Sequence, residues 1–271
     1  MRARSAFKLL HIDEEFDILR NAKRVVDLCA APGSWSQVLS KKLLPHLHDS
    51  QACGRTEDAK IVAVDLQSMA PLPGVVQIQG DITKTSTAER IISNFDGQKA
   101  DLVVCDGAPD VTGLHDMDEY IQAQLLLAAF NITSHVLKPS GTFVAKIFRG
   151  KDVTLLFAQL KTFFLHVDIA KPRSSRDSSI EAFIVCRDYT PPDDYIPTMA
   201  NPLLDLDYSP QNPFHGANRC IVPFMACGDL AGFDSDRTYS LPGDDQYVSL
   251  DPVQPPIDPP YRTFLKLKLS R

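Results

Sequence analysis

Strand-like and helix-like segments alternate through the first two thirds of this chain, and that alternation restricts the fold more than any other feature. Seven strands are predicted, at 24–28, 60–65, 75–79, 100–106, 142–147, 166–170 and 181–187. Helical spacing is found at 5–16, 34–44, 85–95, 117–137 and 153–164. Strands that alternate with helices form mostly parallel sheets with both faces covered. The loop before the last strand is too short for a helix, which predicts an antiparallel final pairing.

The sequence therefore predicts an α/β fold with a seven-stranded, mostly parallel sheet, an antiparallel last strand and helices on both faces. Ligands bind such sheets at the carboxyl ends of the strands. The first strand runs into Asp27–Trp35 (DLCAAPGSW), where Gly33 lets the backbone approach a ligand closely. The helix that follows offers backbone N–H groups that have no acceptor within the helix.

Three aspartates end or follow the next three strands. Asp65 ends the second strand, where a carboxylate can accept both hydroxyls of a ribose. Asp81 follows the third strand and is suited to accept the amino group of an adenine, and Asp106 ends the fourth. A turn-forming role is the alternative for Asp81. No G-x-G-x-x-G follows the first strand, which argues against a nicotinamide site, and the lack of G-x-x-x-x-G-K-[ST] excludes a P-loop.

The formal charge of −6 is unevenly distributed. Six of the 28 basic residues and twelve of the 34 acidic residues follow Arg187, so the first 187 residues are formally neutral. Positive charge within that part is clustered at Arg2, Arg4 and Lys8, at Lys146, Arg149 and Lys151, and at Lys171, Arg173 and Arg176. A basic face on a neutral domain can bind phosphates, because local charge sets that interaction. An ordinary solvated surface is the alternative interpretation.

Composition argues against several other classes of protein. No uncharged apolar window is long enough for a membrane span, and the N-terminal sequence lacks the apolar core of a signal peptide. The six cysteines contain no CxxC pair, which predicts free thiols in a reducing compartment and no metal site. Prolines and aspartates dominate after Arg187. We therefore expect one domain at 1–187 and, at 188–271, an extension that is partly packed on it and partly flexible.

Short motifs in the first 187 residues resemble the FtsJ/RrmJ family of RNA ribose 2′-O-methyltransferases. They are Arg4–Leu9 (RSAFKL), Asp27–Gly33 (DLCAAPG), Trp35–Leu39 (WSQVL), Asp106–Pro109 (DGAP), Val144–Lys146 (VAK) and Ser179–Glu181 (SIE). The resemblance implies a Rossmann-like class I methyltransferase fold with S-adenosyl-L-methionine as cofactor. It implies a catalytic tetrad, which falls by motif on Lys8, Asp106, Lys146 and Glu181. It also implies cofactor contacts at Gly33, Trp35, Asp65, Asp81 and Asp106.

Further stretches resemble the eukaryotic cytoplasmic tRNA branch of that family. They lie at 66–75, 111–116, 147–150, 171–176, 201–204 and 221–230. This branch implies 2′-O-methylation in the tRNA anticodon loop, a cytoplasmic location, and auxiliary protein subunits of the WD40-repeat and helical-repeat type that select the nucleotide. Relatives carry a basic segment before the RSAFKL motif, which here almost directly follows Met1, so we expect weak RNA binding by this chain alone. Methylation of rRNA and a non-catalytic RNA-binding or scaffold role are the alternatives.

Lys146 is the predicted catalytic base. Methyl transfer from a sulfonium requires the attacking oxygen to be held opposite the sulfur. A neutral lysine can accept the proton that a ribose 2′-hydroxyl must lose. The opposing charges of Lys8 and of the two carboxylates leave open whether Lys146 takes this proton or only orients the hydroxyl. A phosphate-binding lysine at the end of a strand is the third interpretation.

Overall fold

The computed structural model of the chain describes residues 5–47, 59–109, 115–150, 153–176, 178–199, 216–220 and 262. The chain divides into two compact units, Met1–Met225 and Ala226–Arg271, and Arg262 is the residue described in the second. Among the described helices, none is long and apolar enough to cross a membrane. The boundary predicted at 187 and 188 stays a prediction.

The described residues of the first unit form seven strands and five α-helices. The strands are β1 (Arg24–Leu28), β2 (Lys60–Asp65), β3 (Val75–Gln79), β4 (Ala100–Cys105), β5 (Leu137–Phe148), β6 (Phe164–Ala170) and β7 (Glu181–Tyr189). The helices are α1 (Ser5–Phe16), α2 (Ser34–Leu43), α3 (Thr85–Asn94), α4 (His115–Val136) and α5 (Val153–Lys161). Short 3-10 helices follow at Pro45–Leu47 and Gly216–Cys220.

The strands form one sheet in the order β3-β2-β1-β4-β5-β7-β6. The pairs among the first five strands are all parallel. β7 runs antiparallel to both of its neighbours, β5 and β6. The predicted sheet and its antiparallel last strand are therefore confirmed.

Two apolar clusters cover the two faces of the sheet. Successive side chains of a strand point to opposite faces, and accordingly Val25 lies in one cluster and Val26 in the other. The first cluster contains side chains of α1 and α2, including Leu9 and Leu39, and the second contains side chains of α3, α4 and α5, including Phe130. Both valines are fully buried, which explains why β1 is a continuous apolar run rather than an alternating one.

Two predicted element boundaries, the start of β5 and the end of α5, were wrong by more than two residues. A turn was expected at 138–141, between helix and strand, but β5 already begins at Leu137, which pairs with Ala100 before the register shifts to the pair Leu102–Thr142. Residues 138–141 form an irregularity inside the strand, with Ser140 at a φ of 59°. The helix predicted to reach Phe164 ends earlier, because Phe164 belongs to β6 and is buried in the second cluster.

The chain after β7 packs against Phe163, which lies between α5 and β6. The backbone N–H of Thr190 donates to the carbonyl of Phe163 at 2.7 Å, and the rings of Tyr195 and Phe163 meet edge-on at 4.8 Å between centroids. The amide of Asn218 exchanges two hydrogen bonds with the backbone of Ile196. Within the extension the structure describes residues 188–199, 216–220 and 262, and the segment 48–58 lies outside the described residues.

Candidate active site

A cavity of about 910 Å³ opens at the carboxyl ends of the central strands. Its lining includes three of the predicted site residues, Asp65, Asp81 and Asp106. Apolar side chains share the lining, and one of them, Leu66, is 68% exposed. Cavities of this size, mostly apolar with a few convergent polar groups, are typical small-molecule sites.

Asp65 holds the loop between β1 and α2 in place. One carboxylate oxygen accepts the backbone N–H of Ala31 at 2.8 Å, and the other accepts the N–H of Gln67 at 2.8 Å. Gly33 follows in the left-handed region, at a φ of 97°, and precedes the first residue of α2. Most side chains would be strained at that φ, so the requirement for glycine is conformational. The same loop thus depends on a glycine and on a carboxylate from the next strand.

Trp35 has a different environment from the one expected of a cofactor ligand. Its indole is buried, packs against Phe183 with centroids 5.4 Å apart, and donates its N–H to the Ser5 carbonyl at 3.0 Å. It is not among the residues that line the large cavity. The described indole is therefore a core group. The backbone N–H of Trp35 lies in the first turn of α2, where helical N–H groups have no intrahelical acceptor, and the predicted cofactor contact is compatible with that group.

Asp81 combines the two roles that the sequence left open. One of its oxygens accepts both the backbone N–H and the hydroxyl of Thr83, each at 2.8 Å. These bonds, with Lys84 nearby, lower the pKa of the carboxyl despite its partial desolvation. Asp81 therefore forms a turn, and it also lines the cavity.

The four predicted tetrad residues lie in one connected network. The ammonium of Lys8 is 2.7 Å and 2.9 Å from the two oxygens of Glu181. The ammonium of Lys146 is 2.6 Å from Oδ1 of Asp106, 2.9 Å from the backbone carbonyl of Asp106 and 3.6 Å from Glu181 Oε2. Asp106 also lines the cavity. Two cations and two carboxylates thus alternate beside the cavity: α1, β5 and β7 contribute one each, and Asp106 directly follows β4.

Burial and charge act in opposite directions on Glu181. Desolvation raises the pKa of its carboxyl, but the hydrogen bond from Lys8 and the charges of Lys146 and Lys8, with a further bond from Ser175, outweigh it. The pKa of Glu181 therefore lies below its ordinary value. The carboxylate form is the one that holds both lysines in place.

Three polar residues in and around the network were missed by the sequence analysis. The hydroxyl of Ser5 donates to Asp106 Oδ2, and that of Ser175 donates to Glu181 Oε1 at 2.9 Å. The buried amide of Gln122 donates to the carbonyls of Gly107 and Lys146, at 3.2 Å and 3.1 Å. Ser5 lies within the RSAFKL motif and Ser175 within the stretch 171–176, but serine and glutamine are so common in loops and helices that nothing local marks the three residues as part of a site.

Gln122 connects the two strands that carry Asp106 and Lys146. The last paired residues of β4 and β5 are Cys105 and Ala145, after which β4 ends. The Gln122 amide, which comes from α4, donates to a carbonyl on each side just beyond that pair. The separation of the strand ends is therefore fixed by a side chain from a third element.

The carboxyl of Asp27 is buried beneath the loop between β1 and α2. It accepts the hydroxyl of Ser36 at 2.6 Å, and its other oxygen has no partner among the described residues. Burial raises the pKa of Asp27 to about 7, although the bond from Ser36 acts against this. Asp27 is 1% exposed and does not line the large cavity, so its effect is on the stability of the loop.

The third predicted basic cluster is adjacent to the network. Lys171, Arg173 and Arg176 are exposed in the loop between β6 and β7. Arg173 pairs with Glu14 at 3.0 Å, and the Lys171 ammonium donates to the Ser179 carbonyl at 3.0 Å. The cluster of Arg2 and Arg4, and Lys151 of the second cluster, lie outside the described residues.

Comparison with known proteins gives one consistent family. The model of the FtsJ-like methyltransferases matches residues 1–189. The mouse (Mus musculus) tRNA (cytidine(32)/guanosine(34)-2′-O)-methyltransferase is 62% identical over 270 residues, which cover 98% of this chain and 80% of the mouse protein. The Schizosaccharomyces pombe protein of the same name is 56% identical over 270 residues, covering 100% of this chain and 92% of the yeast protein.

One solved structure shares both the fold and part of the sequence. It is a Plasmodium falciparum protein assigned as a ribosomal RNA methyltransferase, with a TM-score of 0.59 and 25% identity. The alignment covers 70% of this chain and 98% of that one. The Plasmodium protein thus has a lower sequence identity to this chain than the two tRNA enzymes have, and it matches a smaller part of the chain.

Proposed function

This chain belongs to the FtsJ-like methyltransferase family, and from that premise we propose that it methylates ribose 2′-hydroxyls of tRNA at cytidine 32 and guanosine 34, in the anticodon loop. S-adenosyl-L-methionine supplies the methyl group when it is bound. The observation that carries the proposal is the connected chain of contacts from Lys8 through Glu181 and Lys146 to Asp106, which lines the cavity. Asp106 belongs to the network and to the cavity lining, so the donor site and the acceptor site adjoin.

The cavity fits this cofactor in shape and in chemistry. We propose that Asp65 accepts the ribose hydroxyls and that Asp81 accepts the adenine amino group, since both carboxylates face the same cavity. The exposed side chain of Leu66 offers an apolar surface for a purine ring. The first turn of α2 supplies backbone N–H groups for the remaining polar end of the cofactor. Gly33, whose own N–H donates to the Ala30 carbonyl at 2.6 Å, contributes its left-handed backbone, which lets the loop approach the ligand closely.

Lys146 is the residue that we propose acts on the 2′-hydroxyl. Its side chain is 9% exposed and is held by Asp106 and Glu181 from two sides, which limits its movement. Once the Lys146 ammonium has lost a proton, its neutral amine holds the 2′-hydroxyl for in-line attack and takes the proton that the oxygen loses. Lys8 keeps Glu181 in the position from which it contacts Lys146.

The tRNA assignment is supported by the extent of the similarity. The tRNA relatives match nearly the whole chain at 62% and 56% identity, whereas two rRNA methyltransferases match 74% and 68% of it at 37% and 39% identity. The test is transfer of labelled methyl groups to total tRNA and to rRNA, followed by mapping of the modified nucleotides. Label in rRNA alone would contradict the proposal, and transfer to neither RNA, with or without cell extract, would favour the non-catalytic alternative.

We further propose that auxiliary protein subunits, of the WD40-repeat and helical-repeat type, present the tRNA. The first 187 residues are formally neutral, and the anticodon loop offers few phosphates, so the contacts of one neutral domain give weak, salt-sensitive binding. A partner that grips the rest of the tRNA raises the effective concentration of the loop at the active site. Site-specific methylation by the purified chain at physiological salt, with no stimulation by cell extract, would contradict this dependence.

A cytoplasmic location is the last part of the proposal. The described cysteines Cys29, Cys105 and Cys186 are free thiols, which suits a reducing compartment. Imaging of the tagged full-length protein in its own cells tests the location, and a signal confined to an organelle would contradict it.

A further inference from the structure

The loop between β6 and β7 has two chemically different sides. Its basic residues Lys171, Arg173 and Arg176 are exposed, whereas Ser175 is 9% exposed and points toward the tetrad. Under the function proposed above, on which this inference rests, the exposed side faces RNA phosphates. The inner side has no place in that function.

Two serines of this loop hold Glu181. The Ser175 hydroxyl donates to Glu181 Oε1 at 2.9 Å, and the Ser179 hydroxyl accepts the backbone N–H of Glu181 at 3.1 Å. Lys8 lies near both oxygens of Glu181, 2.7 Å from Oε1 and 2.9 Å from Oε2, so it does not distinguish them. Ser175, in contrast, contacts Oε1, and Lys146 lies 3.6 Å from Oε2. The Ser175 bond therefore fixes the rotation of the carboxylate, and with it the oxygen that Lys146 meets.

The loop is closed on itself, so that Ser175 is held in place. The backbone N–H of Ser175 donates to the carbonyl of Pro172 at 2.9 Å, and that of Ser179 donates to Arg176 at 3.0 Å. The ammonium of Lys171 donates to the Ser179 carbonyl at 3.0 Å. Arg176, an exposed cation, is thus the immediate neighbour of the serine that holds the tetrad.

We propose that Ser175 is a positioning residue for methyl transfer: it holds the Glu181 carboxylate in the orientation that contacts Lys146, from the same loop whose outer side binds RNA. One short segment then serves substrate binding through its arginines and tetrad geometry through its serine. The two roles are separable, because the outer side chains do not touch Glu181 in any described contact.

The test compares Ser175→Thr with Ser175→Val, two nearly isosteric changes of which only the first keeps the hydroxyl. We expect Val to lower kcat by about 10- to 100-fold, the range that sub-ångström misplacement of a reacting group produces. The KM for tRNA and the affinity for S-adenosyl-L-methionine should be unchanged, and Thr should retain most of the activity. Ser178→Ala is the matched control, because Ser178 is exposed in the same loop.

Equal turnover in the Thr and Val variants would overturn the proposal, since the change of shape is common to both. A rise in KM without loss of kcat would also overturn it, because that result assigns Ser175 to RNA binding. If the wild type methylates neither tRNA nor rRNA, the proposed function fails, but the effect of Ser175 on Glu181 can still be measured. The Glu181 carboxyl, followed by NMR between its two lysines, should show a higher pKa in the Val variant than in the Thr variant, and equal pKa values would refute the Ser175 role.

Discussion

Lys8 and Glu181 lie 173 positions apart in the chain, and their charged groups are 2.7 Å apart in the structure. Lys8 lies in the first helix, and Glu181 is the first residue of the last strand. The ion pair therefore joins α1 to β7, the first helix and the last strand of the sheet domain, at the candidate active site. The side chains of Lys8 and Glu181 are 14% and 15% exposed, so solvent screens the ion pair only partly.

Replacement of Lys146 should separate chemistry from cofactor binding. We expect Lys146→Ala to abolish methyl transfer while the affinity for S-adenosyl-L-methionine stays nearly intact, because the nitrogen acts on the hydroxyl. Lys146→Arg should also fail, since a guanidinium cannot lose its proton near neutral pH. Lys161→Ala, at an exposed lysine of α5, is the control. Wild-type turnover of the Ala variant at saturating tRNA would remove Lys146 from the mechanism.

Asp65→Ala should weaken cofactor binding by about 1–3 kcal/mol, the loss that follows removal of a charged acceptor. The structure adds a second reason to expect weaker cofactor binding. The same carboxylate accepts the N–H of Ala31 and so holds the loop between β1 and α2 in place. Calorimetric titration measures the effect. Asp96→Ala, at an exposed aspartate, should leave the affinity unchanged. Equal affinities of the two variants would exclude Asp65 from the site.

Gln122→Leu should lower kcat by about 10- to 100-fold, because the strand ends that carry Asp106 and Lys146 lose their bridge. Two buried carbonyls also lose a donor, so the free energy of unfolding should fall by about 1–3 kcal/mol. Thr133→Val is the control, since it removes a buried hydrogen bond to Ala129 in the same helix. If both variants lose stability but neither loses kcat, Gln122 has only a structural role.

Asp27 should make the stability of the protein depend on pH. The pKa of its carboxyl is near 7 in the fold and near 3.8 in the unfolded chain, so between these values the folded state binds the extra proton. The contribution of Asp27 to the free energy of unfolding is therefore full below about pH 4 and is lost as the pH rises toward 7. Denaturant titrations across this range should show a smaller decline for Asp27→Asn than for the wild type. An identical or steeper decline in the variant would contradict the assignment.

Charge reversal in the loop between β6 and β7 should weaken RNA binding. We expect Arg176→Glu to lower tRNA affinity and to reduce the salt dependence by about one unit of slope. Arg173→Glu should do less, because Arg173 is already paired with Glu14. Arg20→Glu is the control, an exposed arginine paired with Asp17 at 3.2 Å. If a triple variant that combines Lys171→Glu, Arg173→Glu and Arg176→Glu keeps both the tRNA affinity and its salt dependence, the loop is an ordinary solvated turn.

The sequence by itself determined the sheet, most element boundaries and the acidic residues at the strand ends. These follow from local periodicity and from residue types at a fixed place relative to a strand, as with Asp65 and Asp106. The prediction failed at 138–141, where proline and glycine indicated a turn between a helix and a strand. Leu137 already pairs with Ala100, so these residues lie inside β5 and form an irregularity within it. The tetrad was located by motif, and the structure supplied its distances.

Only the tertiary structure decided which polar groups meet. Ser175 contacts Glu181, Gln122 bridges two strand ends, and the Trp35 indole is a core group, and none of this leaves a signal in the local sequence. The pairing of Arg173 with Glu14 across 159 positions likewise changes what a basic loop residue can offer to RNA. The physical reason is the range of the interactions: strand and helix patterns are set by neighbours in the chain, whereas a hydrogen bond or ion pair depends on how distant elements pack against each other.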